Sequence, residues 1–270
     1  MNDLGGKAYY HLPGLFEFYE LYRVFLPLFR EHRAYFYDWC EIGSIYGAPA
    51  DCIWGGGRAG FGDQSAKEVR ALLREYGISA RLTFSNSLLQ KEHLRDPKCN
   101  ALCALFEADS GVQNGVIVHS ELLLEYLKAR YPGFYFVSST TKVLTEFAQL
   151  RRELEREEFR FVVPDFRLNK AFDQLKGLPQ PQKDKVEFLC NESAGPAAKT
   201  GSGAMRPSAA KTLAKPARST YVPHPMHRRA TAFPEQCRAQ RLSGRRRSAG
   251  PTCPWAFLIS RSKAEALAAR

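Results

Sequence analysis

The chain has 270 residues and a net charge of +11, unevenly spread: residues 1–190 hold 24 Lys and Arg against 25 Asp and Glu, leaving 15 against 3, a net of +12, for the last 80. Of 33 aromatic residues, 29 precede residue 191, so the first part alone has the apolar surface for a sizeable core. No run approaches the roughly 18 apolar residues of a membrane helix, MNDLGGKAYYHLPG lacks a signal-peptide pattern, and seven cysteines form no regular framework. These exclude a membrane-spanning or disulfide-stapled class and point to a soluble cytoplasmic protein with reduced thiols.

In chain order, short β-branched or aromatic runs alternate with segments of helical period. Lys7–His11 predicts a strand, Gly14–His32 a helix with a kink or break at Pro27, and Ala34–Cys40 a second strand. After the glycine-rich Asp51–Ser65 come a helix over Ser65–Tyr76, a strand over Ala80–Phe84 and a helix over Ser87–Ala108 with an irregularity at Pro97. Then follow Gly115–His119 (strand), Glu121–Tyr131 (helix), Phe134–Ser138 (strand), Lys142–Glu157 (helix), Phe159–Pro164 (strand), Asn169–Gly177 (helix) and Val186–Cys190 (strand). RRELEREEFR, with both signs at helical spacing, reads as a solvated helix face.

This βα rhythm implies an α/β fold of parallel strands covered by helices, and seven strand signals favour a (β/α) TIM-like barrel over a doubly wound sheet. The barrel is expected to be incomplete, because the regular pattern stops before an eighth unit; WAFLIS (Trp255–Ser260) is the one later strand candidate. The division is therefore a barrel-like domain over 1–192 and a basic tail over 193–270. The tail's Pro, Ser, Gly and charge content predicts disorder.

Barrel chemistry sits at the C-terminal ends of strands. On the expected boundaries those ends carry His11, Glu41, Asn86, His119, Ser138, Ser139, Thr140, Asp165, Asn191 and Glu192. Glu41, Asp165 and Glu192 are the candidates for acid–base catalysis; His11, Asn86, His119, Ser139, Thr140 and Asn191 are candidates for holding substrate. Trp54 and Arg58, in DCIWGGGRAGFGDQS, are candidates for a binding surface over the mouth. That loop lacks the Lys-Ser/Thr of a phosphate-binding loop and reads as a long βα connection. Cys99 and Cys103, four apart with His93 nearby, make an incomplete ligand set and read as core thiols rather than a metal site. No GxSxG or recognisable nucleophilic cysteine occurs. A small molecule or peptide at the mouth is the expected ligand.

HLPGLFEFY, CEIGSIYG, IWGGGR, RLTFSNSLL, EHLRDPKCN, VIVHS and FVSSTTK resemble an uncharacterised family of gut-bacterial proteins, over about residues 8–192. That family is similar to a divergent branch of the collagenase-like peptidase barrels, a group that includes accessory proteins of ubiquinone and tRNA hydroxylation. The resemblance implies a peptidase-like barrel continuing, after Cys190-Asn191, into a cysteine-rich segment, which in the hydroxylation proteins holds an iron–sulfur cluster. Here SAGPAAKTGSGAMRP follows instead, so the expectation is a chain with no cofactor and no activity in this form, although an intact relative can carry a cluster or metal. As a non-enzymatic alternative, RRATAFPEQCRAQRLSGRRRSAG is a basic arm that would contact nucleic acid through phosphates. Phe233 is its single aromatic, too few for base stacking.

A shifted reading frame near Glu192 is the expected cause of the departure. Read from the third base of each codon, Ser193–Arg206 permits a string of the form Cys-Trp-x-Gly-Cys-x-Asp-Arg-x-x-Cys-Tyr-Glu, which looks like the cysteine-rich continuation. Sequencing the gene from the codon for Cys190 to that for Arg206 is expected to show a base lost or gained relative to close relatives. An intact, shared frame would make the basic arm genuine.

Overall fold

The computed structural model describes residues 6–56, 65–107 and 111–190, with the backbone of 258–261. Arg58, Asn191, Glu192 and the expected tail, apart from those four residues, lie outside the described residues.

Six strands form a parallel ladder in chain order: β1 Ala8–Pro13, β2 Cys40–Gly47, β3 Ser79–Phe84, β4 Gly115–Val118, β5 Tyr135–Ser138 and β6 Phe159–Val162. Helices lie between them: α1 Tyr19–Glu31, α2 Ala66–Tyr76, α3 Pro97–Glu107, α4 Glu121–Arg130 and α5 Phe147–Glu155. Alternation along each strand divides its residues between two surfaces. Leu82, Phe84, Val116, Val118, Phe136, Phe159 and Val162 pack with Val69, Leu73, Phe106, Leu123 and Leu150 of the helices in the main core. Tyr46, Ile117, Tyr135, Val137, Val163 and Leu189 form a second core on the concave side, joined by Phe161 and Phe166.

The barrel expectation is met over these six strands, and the pattern then changes. After α6 Phe172–Lys176 and α7 Gln180–Lys183 comes β7 Glu187–Leu189. A parallel bridge, Val162 to Val186, and the Val162 N–H donating to the Lys185 carbonyl (2.8 Å) tie its approach to β6. β8, Leu258–Arg261, pairs antiparallel with both β1 and β7. Four residues of the expected disordered tail are thus strand. They overlap the candidate Trp255–Ser260 but run opposite to the direction a βα repeat would give.

Several boundaries depart from expectation for identifiable reasons. The second strand is Cys40–Gly47, not Ala34–Cys40: Arg33–Tyr35 is a 3₁₀ turn, and Tyr35 and Tyr37 are largely exposed. Their aromatic run has strand propensity without the burial that makes it count. Of the kink or break expected at Pro27, there is no break: α1 continues through it. Pro27 withdraws one bond, to the carbonyl of Arg23, a residue on the exposed side of the helix that water can satisfy. The helix expected over Ser87–Ala108 is a 3₁₀ turn at Lys91–Arg95 followed by α3. Pro97 starts α3, where its missing N–H costs nothing, and Asp96 caps it by accepting from the Cys99 N–H at 2.7 Å. Glu121 starts α4 as expected, with the Ser120 hydroxyl accepting from the Leu123 N–H.

Gly115 makes room for the concave core. A Cβ there would stand 2.5 Å from the Tyr135 ring, in register beside it on β5. Gly115→Ala is expected to cost about 1–3 kcal/mol, read as a lower urea midpoint at unchanged slope. An unchanged midpoint would mean that Tyr135 is free to move aside.

Candidate functional site

Two polar sets lie on the concave side of the sheet at different heights. The lower one is buried and fully connected. On β3, Arg81 donates two parallel hydrogen bonds to the Glu187 carboxylate of β7, both 2.8 Å, and its Nε donates to the Tyr135 hydroxyl at 2.9 Å. The Ser79 hydroxyl shares a 2.9 Å bond with Tyr135 and donates to the Gln113 carbonyl. From β1, His11 places Nε2 3.3 Å from Glu187 and Nδ1 2.7 Å from the Ser44 hydroxyl on β2. Phe161 and Tyr135 face the guanidinium through their rings. Arg81 and Glu187 are 1% and 0% exposed, and each guanidinium nitrogen and carboxylate oxygen has a partner, as a buried charge pair requires.

The charge states follow from this packing. Burial alone would raise the Glu187 carboxyl, but the Arg81 guanidinium, then His11, outweigh it and hold it below the ordinary range. Burial pushes His11 down to about 4; Glu187 opposes this and Arg81 reinforces it. A neutral imidazole fits the geometry: the Nε2 proton faces the carboxylate, and Nδ1 accepts from Ser44. Hydroxyl, imidazole and carboxylate stand in the order of a nucleophilic triad. Ser44 and Glu187 are both fully buried, however, and the carboxylate already serves Arg81, so the set acts as a closed polar core.

The upper set lies where the strands end, above a layer containing Ile117 and Val137, which are register partners. His119 follows β4 and is half-buried; its Nδ1 lies 2.8 Å from the Thr141 hydroxyl, which lies 2.9 Å from that of Ser139. Burial, then the Lys142 charge, lower the His119 pKa against the pull of Glu121. Thr140 donates to the Pro164 carbonyl. Asp165 is buried after β6 and accepts from the Arg167 N–H at 3.0 Å, capping the 3₁₀ turn Phe166–Lys170.

Of the residues expected from sequence, His119, Ser139, Thr140 and Asp165 occupy this end. His11 does not: β1 runs on to Pro13, so His11 lies within the strand and joins the lower network. Glu41 is corrected most sharply. It is the second residue of β2, at the opposite end of the sheet, paired with Lys7 (2.8 Å) and Arg33 (3.2 Å). Trp54 is no surface over the mouth either: it is wholly buried, donates to the His93 carbonyl at 2.8 Å and packs edge-on to Phe84. Asn86 is buried as a staple, its amide donating to the Ile53 carbonyl (2.7 Å) and its oxygen accepting from the Leu88 N–H.

The lower network lies within the strands, away from the strand ends where barrel chemistry is expected. Its signal is that Arg81 and Glu187 are charged residues placed within strands, SARLTF and EFL. The described cysteines are Cys40, Cys52, Cys99, Cys103 and Cys190. Among the described residues no three His, Cys, Asp or Glu side chains are grouped to hold a metal. Cys190 stands exposed past β7, whereas Cys52, Cys99 and Cys103 are buried in the main core. No described helix is long and apolar enough to cross a membrane.

No family model matches the chain, and no curated protein matches it. Among solved structures it is similar to one described as that of the U32 peptidase Mk0906, with a TM-score of 0.44 and 16% identity over 67% of this chain and 74% of the other. That likeness concerns the path of the chain and assigns no residue a role.

The lower network makes stability depend on pH. Between about pH 6.5 and 4 an unfolded chain takes up a proton at His11 that the folded chain refuses, so stability falls with pH. A pKa held at about 4 rather than 6.5 corresponds to the order of 3 kcal/mol over that window. Glu187, held ionised, adds a further loss as pH drops below the unfolded carboxyl value of about 4.3. Urea melts at pH 7.5 and 5 are expected to differ strongly for the parent and much less for His11→Gln. Equal pH dependence in both would contradict a neutral, buried His11.

Proposed function

We propose that this chain is a divergent, peptidase-like α/β barrel protein that holds a peptide or other small ligand at the C-terminal face of its sheet and does not hydrolyse it in this form. The supporting observation is the fixed His119: its Nδ1 is bound to Thr141, and burial keeps the ring neutral, leaving Nε2 as the group that meets a ligand amide or hydroxyl. Ser139 and Thr141 line the same end, as does Thr140. Arg58, Asn191 and Glu192 remain ligand or catalytic candidates from their sequence positions alone.

The non-hydrolytic part rests on how the acids are engaged. Glu41 is at the far end of the sheet, Glu187 is bound to Arg81, and Asp165 is bound to its own turn. Together with the missing cysteine-rich segment, this supports binding without turnover. The nucleic-acid reading rests on the +12 charge of residues 191–270. It gains weight if the gene's frame proves intact.

Purified full-length chain incubated with gelatin and fluorogenic peptides is expected to release no fragments and to bind gelatin-derived peptides. His119→Ala should weaken that binding about tenfold, the scale of one lost hydrogen bond, with little change between pH 8 and 6.5. Peptide hydrolysis abolished by the same substitution would overturn the non-hydrolytic reading. Binding unaffected by it would overturn the place of the site.

A further inference from the structure

The loop between β2 and α2 is fastened to the start of α3 by two consecutive residues on each side. Asp51 forms an ion pair with Lys98, and beside it the Cys52 sulfur lies 3.3 Å from that of Cys99. Both thiols are buried and unlinked, at 2% and 1% exposure, and are 47 positions apart in sequence. The surrounding backbone is held from several directions. Cys52 donates to the Pro49 carbonyl and its own carbonyl accepts from Gly55, Trp54 reaches the His93 carbonyl, and the Cys99 N–H is taken by Asp96. Two sulfurs so placed need to approach by little more than an ångström to reach the roughly 2.05 Å of a disulfide.

We propose that Cys52 and Cys99 are an oxidation site, which a hydroperoxide converts to an intramolecular disulfide that locks the β2–α2 loop onto α3 at the C-terminal face of the sheet. The Cys52 sulfur attacks the peroxide. An S–O bond forms, the O–O bond breaks, and the alcohol (water, from hydrogen peroxide) leaves with the thiol proton. The Cys99 sulfur then attacks Cys52; the S–S bond forms, the S–O bond breaks and water departs. Two thiols are oxidised by two electrons and one peroxide is reduced. The hydrogen bond with Cys52, then burial, raise the Cys99 thiol, and either sulfur can be the donor of that bond. Cys103, one turn further along α3, is also buried, and burial raises its thiol. The loop so locked carries Trp54. The inference stands whatever ligand the mouth takes.

The test treats the folded full-length chain, and a variant with Cys40, Cys190, Cys237 and Cys253 replaced by Ser, with hydrogen peroxide, followed by blocking of free thiols and peptide mapping. The expected result is loss of two titratable thiols, a mass decrease of two hydrogen atoms in the variant, and one cross-linked peptide pair joining Cys52 to Cys99. A thiol reductant should reverse it, and the melting temperature should be higher than in the reduced form. Cys99→Ala should give no link. A Cys99–Cys103 or intermolecular disulfide, sulfinic acid at Cys52 without a link, or a link formed only in denaturant would each overturn the proposal.

Discussion

The concave side of this sheet is organised by one interaction, the doubly hydrogen-bonded pair of Arg81 and Glu187. Burying two charges costs more than their attraction returns unless every polar atom around them is matched. Tyr135, Ser79, His11 and Ser44 supply that matching, and they come from β5, β3, β1 and β2. The pair also makes a connection that backbone pairing barely provides. β7 has three residues and reaches β6 through one bridge at its approach, with β8 on its other side. The salt bridge spans the interior and ties β7 to β3, in the most regular part of the ladder. Such a network is conformationally exacting: truncating either partner leaves a buried charge, a loss on the order of 3–5 kcal/mol.

Much of the architecture was legible in the sequence because it is written in local pattern. VIV and YFV are short apolar strands bounded by turns, and Glu121–Arg130 has its acid and its bases at the ends that suit a helix dipole. Proline gave the less reliable signals, since its effect depends on position: Pro97 opens a helix, while Pro27 sits inside one that continues. The exposed aromatics near Tyr35 misled because strand propensity reports fit to a half-buried surface, and they have none.

The site was legible only in part, for a physical reason. Polar residues at strand ends follow from boundaries, and the structure places His119, Ser139, Thr140 and Asp165 at that end of the sheet. A shift of boundary moves a residue along the sheet, so placing the second strand several residues early put Glu41 at the wrong end. Interior partners such as Arg81 and Glu187 are 106 residues apart in sequence, and no local period relates them. The apolar layer with Ile117 and Val137 then separates that core from the mouth, leaving the mouth to His119 and its hydroxyl neighbours. Trp54 is buried in the main core, where its bond to the His93 carbonyl holds the loop that also carries Cys52.

The most direct test of this account is native-state hydrogen exchange resolved to single amides. If the Arg81–Glu187 network joins β7 to the rest, the amides of Glu187–Leu189 should exchange only on global unfolding, with the same free energy as that of Leu82 on β3. Exchange of the β7 amides by a separate, low-energy opening, while β3 and β4 remain protected, would show that the buried pair does not hold the fold together.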